Sequence, residues 1–140
     1  MIEDLEGYFK GLADRNRLRI LNLLLYGELC GCDIQYVLET SQPNISRHLT
    51  YLKHLSLVAD RREGFRIFYR LVEGSDGIRK KLFDLLREAF RADPAFNEDL
   101  ARLQRAVKAG ACTMQQIRVL PKVLPVEAGA TRPRSRAARQ

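Results

Sequence analysis

The chain has 140 residues, 46% apolar and 29% charged, a composition that fits one globular domain with a core and leaves no room for two. No apolar run approaches the ~20 residues of a membrane span, and the acidic, amphipathic opening MIEDLEGYFK predicts no secretory signal. Three cysteines, an odd number, point away from a disulfide framework and toward reactive or ligating thiols in a reducing cytosol.

The net charge of +7 is unevenly placed. Residues 1–40 carry four Lys/Arg against seven Asp/Glu, residues 41–72 six against two, and residues 121–140 five against one. Such a basic footprint suits a polyanion, with duplex DNA the first candidate.

Leu5, Tyr8, Phe9 and Leu12 fall at helical spacing and predict a first helix ending near Gly11. Asp14 is a fair N-cap for a second helix that buries Leu18, Ile20, Leu21, Leu24 and Leu25 and closes at Gly27. A short third helix opens at Cys32 or Asp33 and runs to about Glu39, with Ile34, Val37 and Leu38 inward. Directly before it stands the thiol pair Cys30-Gly31-Cys32. A helix N-terminus favours thiolate, the form that ligates soft ions, whereas a lone cysteine is more often a small core hydrophobe.

Ser41 caps a fourth helix, with Pro43 in its first turn. Its stripe is Ile45, Leu49 and Leu52. At about 100° per residue, Arg47, Thr50 and His54 lie opposite, flanked by Asn44, Ser46 and Tyr51. One face packs while the other offers amide, hydroxyl and guanidinium groups suited to bases and phosphates. Gln42, Asn44, Ser46, Arg47, His48, Thr50 and Tyr51 are therefore candidate DNA contacts; for His48, near the apolar stripe, a packed role is the competing reading.

Leu57 to Arg62 and Phe65 to Leu71 read as two strands joined at Glu63-Gly64. Arg61, Arg62, Arg66 and Arg70 make this hairpin a candidate basic wing along a phosphate backbone, with a solvated strand face as the plainer alternative. Ile78, Leu82, Leu85, Leu86 and Ala89 stripe a fifth helix, with Phe83 and Phe90 beside that stripe. Phe96, Leu100, Leu103 and Val107 stripe a sixth, opened by Asp93-Pro94. The fold class expected is mainly α with a small β-hairpin, a winged helix-turn-helix, over residues 1–110. Residues 111–140 form a C-terminal segment with a basic, disordered tail.

Three segments, LADRNRLRILNLL, GELCGCDI and SQPNISRHLTYLKHLSLV, together resemble the ArsR/SmtB family of bacterial metal-sensing repressors, over roughly Tyr8 to Leu71. The resemblance implies no enzyme activity. It implies a homodimer that binds double-stranded operator DNA and releases it when a metal or metalloid binds. The first and last core helices would form the dimer, here Leu5 to Leu12 and Ile78 to Phe90 with the sixth helix as a further candidate. Two-fold symmetry then calls for half-sites about 34 Å apart.

Family members that sense zinc use His and carboxylate ligands on the dimer helix, whereas the two histidines here, His48 and His54, lie in the recognition helix. Cadmium- and lead-type members add N-terminal cysteines, and none precedes Cys30. What remains is the arsenite type, with trivalent arsenic or antimony as inducer and no permanent cofactor. Its usual third cysteine is replaced by Gln35. Soft trivalent ions prefer thiolates, so the metal-ligand candidates are Cys30 and Cys32, with Cys112 as a third. Otherwise the two sulfurs hold the ion with a hydroxide, or hold a methylated arsenical. A thiol redox switch pairing Cys112 and a metal carrier are the competing functions.

Overall fold

The computed structural model describes residues 2–74 and 77–108. Cys112 and the basic tail of the 111–140 segment lie outside the described residues. Six helices and three short strands follow in the order α1 (Ile2–Leu12), α2 (Arg15–Leu24), β1 (Leu29–Cys30), α3 (Gly31–Leu38), α4 (Gln42–His54), β2 (Val58–Glu63), β3 (Arg66–Leu71), α5 (Gly77–Arg91) and α6 (Pro94–Lys108).

The helix starts are set by local chemistry. Asp14 accepts the backbone N–H of Arg17 at 3.1 Å, Ser41 that of Asn44 at 3.3 Å, and Asp93 that of Ala95 at 3.1 Å. Each satisfies an N–H that the first helical turn leaves without a partner. Asp14 and Ser41 therefore act at the starts that the sequence assigned to them.

α2, α3 and α4 meet over Ile20, Leu21, Leu23, Ile34, Val37, Ile45, Leu49 and Leu52, all within a few per cent of complete burial. Gly11 brings α1 close to the end of α4; a Cβ there would lie 2.2 Å from Leu55 Cδ1, so the bare backbone permits the approach.

The sheet departs from expectation in three ways. First, it has three strands, because Leu29 and Cys30 pair antiparallel with Tyr69 and Phe68, giving the order β1-β3-β2. A two-residue strand carries no periodicity that sequence could reveal. Second, the register Glu63↔Arg66 places the turn at Gly64-Phe65, not Glu63-Gly64. Gly64 has φ +62°, and glycine at the first central position suits a two-residue hairpin turn. Phe65 therefore projects from the wing tip, fully exposed, and is no longer a strand residue. Third, Phe68 and Tyr69 are both buried. β3 is covered on both sides, so its alternation breaks.

α5 is also rotated from its predicted orientation. Phe83, Leu86 and Phe90 enter the core, while Ile78 and Leu85 face outward. α6 accounts for this rotation. It folds back against α2, α3 and α5, and Phe96 stacks on Phe90 with ring centroids 4.3 Å apart. Asn22, buried in α2, donates to the Phe96 carbonyl at 3.0 Å. Arg19 of α2 holds Asp99 of α6 through two hydrogen bonds of 2.7 and 2.9 Å. The apolar face of α6 thus lies inside its own subunit.

The architecture is a winged helix-turn-helix with α4 as recognition helix and β2–β3 as wing. Among the described residues no helix is long and apolar enough to cross a membrane.

Candidate nucleic-acid interface and thiol cleft

Cys30 belongs to two elements. It ends β1 opposite Phe68 and caps α3, its Sγ accepting the backbone N–H of Cys32 at 3.5 Å. Neither cysteine is in a disulfide, and their sulfurs lie 2.7 Å apart. Cys30 is 4% exposed, while Cys32 is open to solvent. The helix begins at Gly31, one residue before the expected start, since the Cys30 sulfur stands in for the usual capping oxygen.

The sulfurs open onto a cleft of about 310 Å³. Its walls are Gln42, Ile45, Ser46 and Leu49 of α4 and Phe65, Arg66, Ile67 and Tyr69 of the wing, with Gln35 beside the thiols. One cavity therefore joins the thiol pair, the recognition helix and the wing. No group of three or more His, Cys, Asp or Glu that could hold a metal occurs among the described residues, so two sulfurs are the ligands this region offers.

α4 presents Gln42, Arg47, Thr50 and Tyr51 at the surface, with Asn44 and Ser46 half-buried. Asn44 donates to Thr40 Oγ1 at 2.9 Å and accepts from the Arg47 guanidinium. This chain of bonds holds the polar groups of the first turns in place. Arg17 lies over the Tyr51 ring at 4.3 Å while donating to the Gly11 and Lys10 carbonyls at 2.7 and 3.1 Å. It ties α1 to α4, a role that helical periodicity in α2 gave no means of seeing.

His48 does not join that surface. It is 6% exposed, and its Nδ1, 3.9 Å from Asp14 Oδ1, has no hydrogen-bond partner among the described residues. The packed reading of this residue replaces the DNA contact. Burial, aided by Arg17 and Arg47, pushes its pKa down against the opposing pull of Asp14. A histidine kept neutral by the fold binds its proton at lower pH than the unfolded chain does, so stability is complete above the ordinary value and lost as pH falls. Melting temperature is expected to drop between about pH 7 and pH 5.5, and His48→Gln to flatten that part of the curve. An unchanged slope in the variant would rule this out.

The four wing arginines do not share one face. Cross-strand pairing puts Arg62 beside Ile67, and Arg61, Arg66 and Arg70 on the opposite side. Arg61 is bound to Glu28 at 2.6 Å and Glu63 at 2.7 Å, and lies 4.6 Å from the centroid of the Phe68 ring. These carboxylates raise its already high pKa. Arg61 thus braces the wing against the β1 approach, which corrects its expected place among phosphate contacts. Arg62 and Arg66 remain exposed. Glu28 could not have been assigned as the anchor, because its partner lies 33 residues away.

Residues 14–60 match the family described as "Bacterial regulatory protein, arsR family". The chain is 44% identical over 86 residues to the arsenical resistance operon repressor of Escherichia coli, covering 61% of this chain and 71% of that protein. The chain belongs to the arsR family. This family member is also 48% identical over 64 residues to the arsenic resistance transcriptional regulator ArsR1 of Pseudomonas putida, covering 45% of this chain and spanning half the length of that relative. Its fold resembles the homodimeric winged helix-turn-helix DNA-binding domain from Mycobacterium bovis, a possible ArsR-family regulator. That likeness has a TM-score of 0.54 at 32% identity and covers 63% of this chain and 79% of the other.

Proposed function

We propose that this ArsR-family protein is a transcriptional repressor that binds operator DNA as a homodimer and lets go when trivalent arsenic or antimony binds Cys30 and Cys32. The observation that carries the reading is the shared cleft. Whatever bridges the two sulfurs sits against Gln42 and Ser46 of α4 and Arg66 of the wing, the groups that would face a groove and a backbone. Relatives whose names concern arsenic resistance support the choice of ion.

Dimerisation has its own support. Leu5 and Phe9 on α1 and Ile78 and Leu85 on α5 are 45–61% exposed. Apolar side chains at helical spacing, left uncovered on two helices, are what a second copy would bury. The first and fifth helices thus supply the interface, without α6. Two α4 helices related by a two-fold axis would enter successive major grooves, with Gln42, Asn44, Ser46, Arg47, Thr50 and Tyr51 toward the DNA and Arg62 and Arg66 on the flanking phosphates.

A ligand shifts the binding equilibrium only by its differential affinity for the two states. A hundredfold loss of operator affinity requires about 2.7 kcal/mol of coupling, within reach of two sulfur–arsenic bonds. The test is a mobility shift with operator DNA across a salt series, with and without arsenite. A contact with six phosphates should weaken binding about a thousandfold between 50 and 200 mM salt, and arsenite should dissociate the complex. Binding indifferent to salt and sequence, or a complex that survives arsenite, would overturn the proposal.

A further inference from the structure

Resting on the reading of this chain as an operator-binding dimer, we infer that Phe65 is an apolar wedge. It enters the minor groove flanking each half-site and partly unstacks one flexible base step there. A single exposed apolar side chain is ordinary on a protein surface, so position is what singles this one out. Phe65 is the most exposed of the large hydrophobic side chains among the described residues. It sits at the tip of the wing, in the two-residue turn between Glu63 and Arg66. Residues 62–66 are all exposed, and a Cβ added at Gly64 would meet no atom within 4 Å. The tip therefore stands clear of the fold. Unlike Leu5, Phe9, Ile78 and Leu85, it belongs to neither helix assigned to the dimer.

The charge around the ring suits a polyanion. Arg62 and Arg66 lie on either side of the turn and are exposed, while Glu63, the carboxylate at the tip, is paired with Arg61 at 2.7 Å. Phe65 and Arg66 also border the same cleft as Gln42 and Ser46 of α4, so the tip stands beside the first turns of the recognition helix. With α4 in a major groove, the adjoining minor groove is the next surface that a neighbouring hairpin meets. Paired strands lie ~5 Å apart, narrow enough to bring a turn to the mouth of a groove ~6 Å wide. Only the ring then passes between the walls. There it leaves water, which its place in the fold does not allow. Opening a base step costs stacking, and the cost is least at pyrimidine–purine steps. Phe65 thus adds a sequence preference where no hydrogen bond is made, and bends the duplex toward the major groove that holds α4.

The experiment uses the full chain and a duplex that it selects from a random pool, with 2-aminopurine replacing each flanking purine in turn. Emission should rise on binding at one flanking step of each half-site, and Phe65→Ala should abolish the rise. That substitution should weaken binding about tenfold, ~1.4 kcal/mol, without changing its slope against salt. Arg66→Ala should instead lower the slope by about one for each subunit. Phe65→Leu, still an apolar wedge, should keep most of the affinity. Replacing the flexible step by a stiff A-tract should cost the parent about tenfold and the alanine variant almost nothing. Because the side chain is wholly exposed, Phe65→Ala should melt within about 2 °C of the parent, so lost affinity is not lost folding.

Selective binding with no rise in emission, or a Phe65→Ala variant that binds and discriminates like the parent, overturns the wedge and leaves the repressor reading intact. Loss of self-association in Phe65→Ala would make the residue a contact between copies, which also overturns it. A chain that selects no duplex from the pool overturns the repressor reading itself, and the wedge with it.

Discussion

Cys30→Ser should leave operator binding within about twofold of the parent and raise the arsenite concentration needed for release at least a hundredfold, equivalent to ~2.7 kcal/mol. The two halves of that expectation have separate physical causes. Cys30 caps α3 through its sulfur, and serine is a better capping residue than cysteine, so the substitution keeps the helix start, the β1 pairing and the α3–α4 contact. A hydroxyl is a hard, protonated ligand that trivalent arsenic does not favour over thiolate, so ion capture fails while the scaffold stands. Cys32→Ser should behave alike, since a single sulfur cannot chelate. The decisive measurement is half-release by arsenite in the mobility shift. Release of the variant at the parental concentration would remove Cys30 from the sensor.

Asp99→Ala should be the most destabilising of the polar substitutions, costing roughly 3–5 kcal/mol. Asp99 is 4% exposed and accepts both arms of the Arg19 guanidinium, which binds α6 to α2. Removing the carboxylate leaves a half-buried cation without its counter-charge, a loss larger than the net worth of the pair. The hydrogen bonds to Asp99 outweigh the cost of burial and raise the Arg19 pKa above its already high ordinary value. For a folded region of this size, the change should lower the melting temperature by about 10–20 °C. Replacing both partners, as in Arg19→Met with Asp99→Leu, should recover much of the loss, because an apolar pair has no charge to strand. A single variant melting within a few degrees of the parent would show that α6 docks through its apolar face alone.

Much of the helix-turn-helix framework was legible because its signals are local. Ser41, Pro43 and the Ile45–Leu49–Leu52 stripe define α4 within one stretch of 13 residues, and Asp14 marks α2 in the same way. The thiol pair was readable as a motif for the same reason. The sequence reading failed where a distant partner decides the outcome. Phe83, Leu86 and Phe90 became the buried side of α5 because α6 returns across it, although Ile78, Leu82, Leu85 and Leu86 form an equally regular stripe. His48 turned inward to lie beside Asp14, which is 34 residues earlier in the chain at the start of α2. Arg61 turned from candidate phosphate contact into a brace because Glu28 reaches it across the sheet.

Sequence by itself determined the helical segments, the N-caps of α2 and α4, the position of the sulfur pair before α3 and the polar face of α4. Each depends on residues within one or two turns, where side-chain spacing and backbone hydrogen bonding suffice. Tertiary structure alone decided that β1 brings Cys30 against Phe68, and that the sulfurs, Gln42 and Phe65 border one cavity. Those placements follow from strand pairing and core packing between separate segments of the chain, and no periodicity along the chain encodes a distance of that kind.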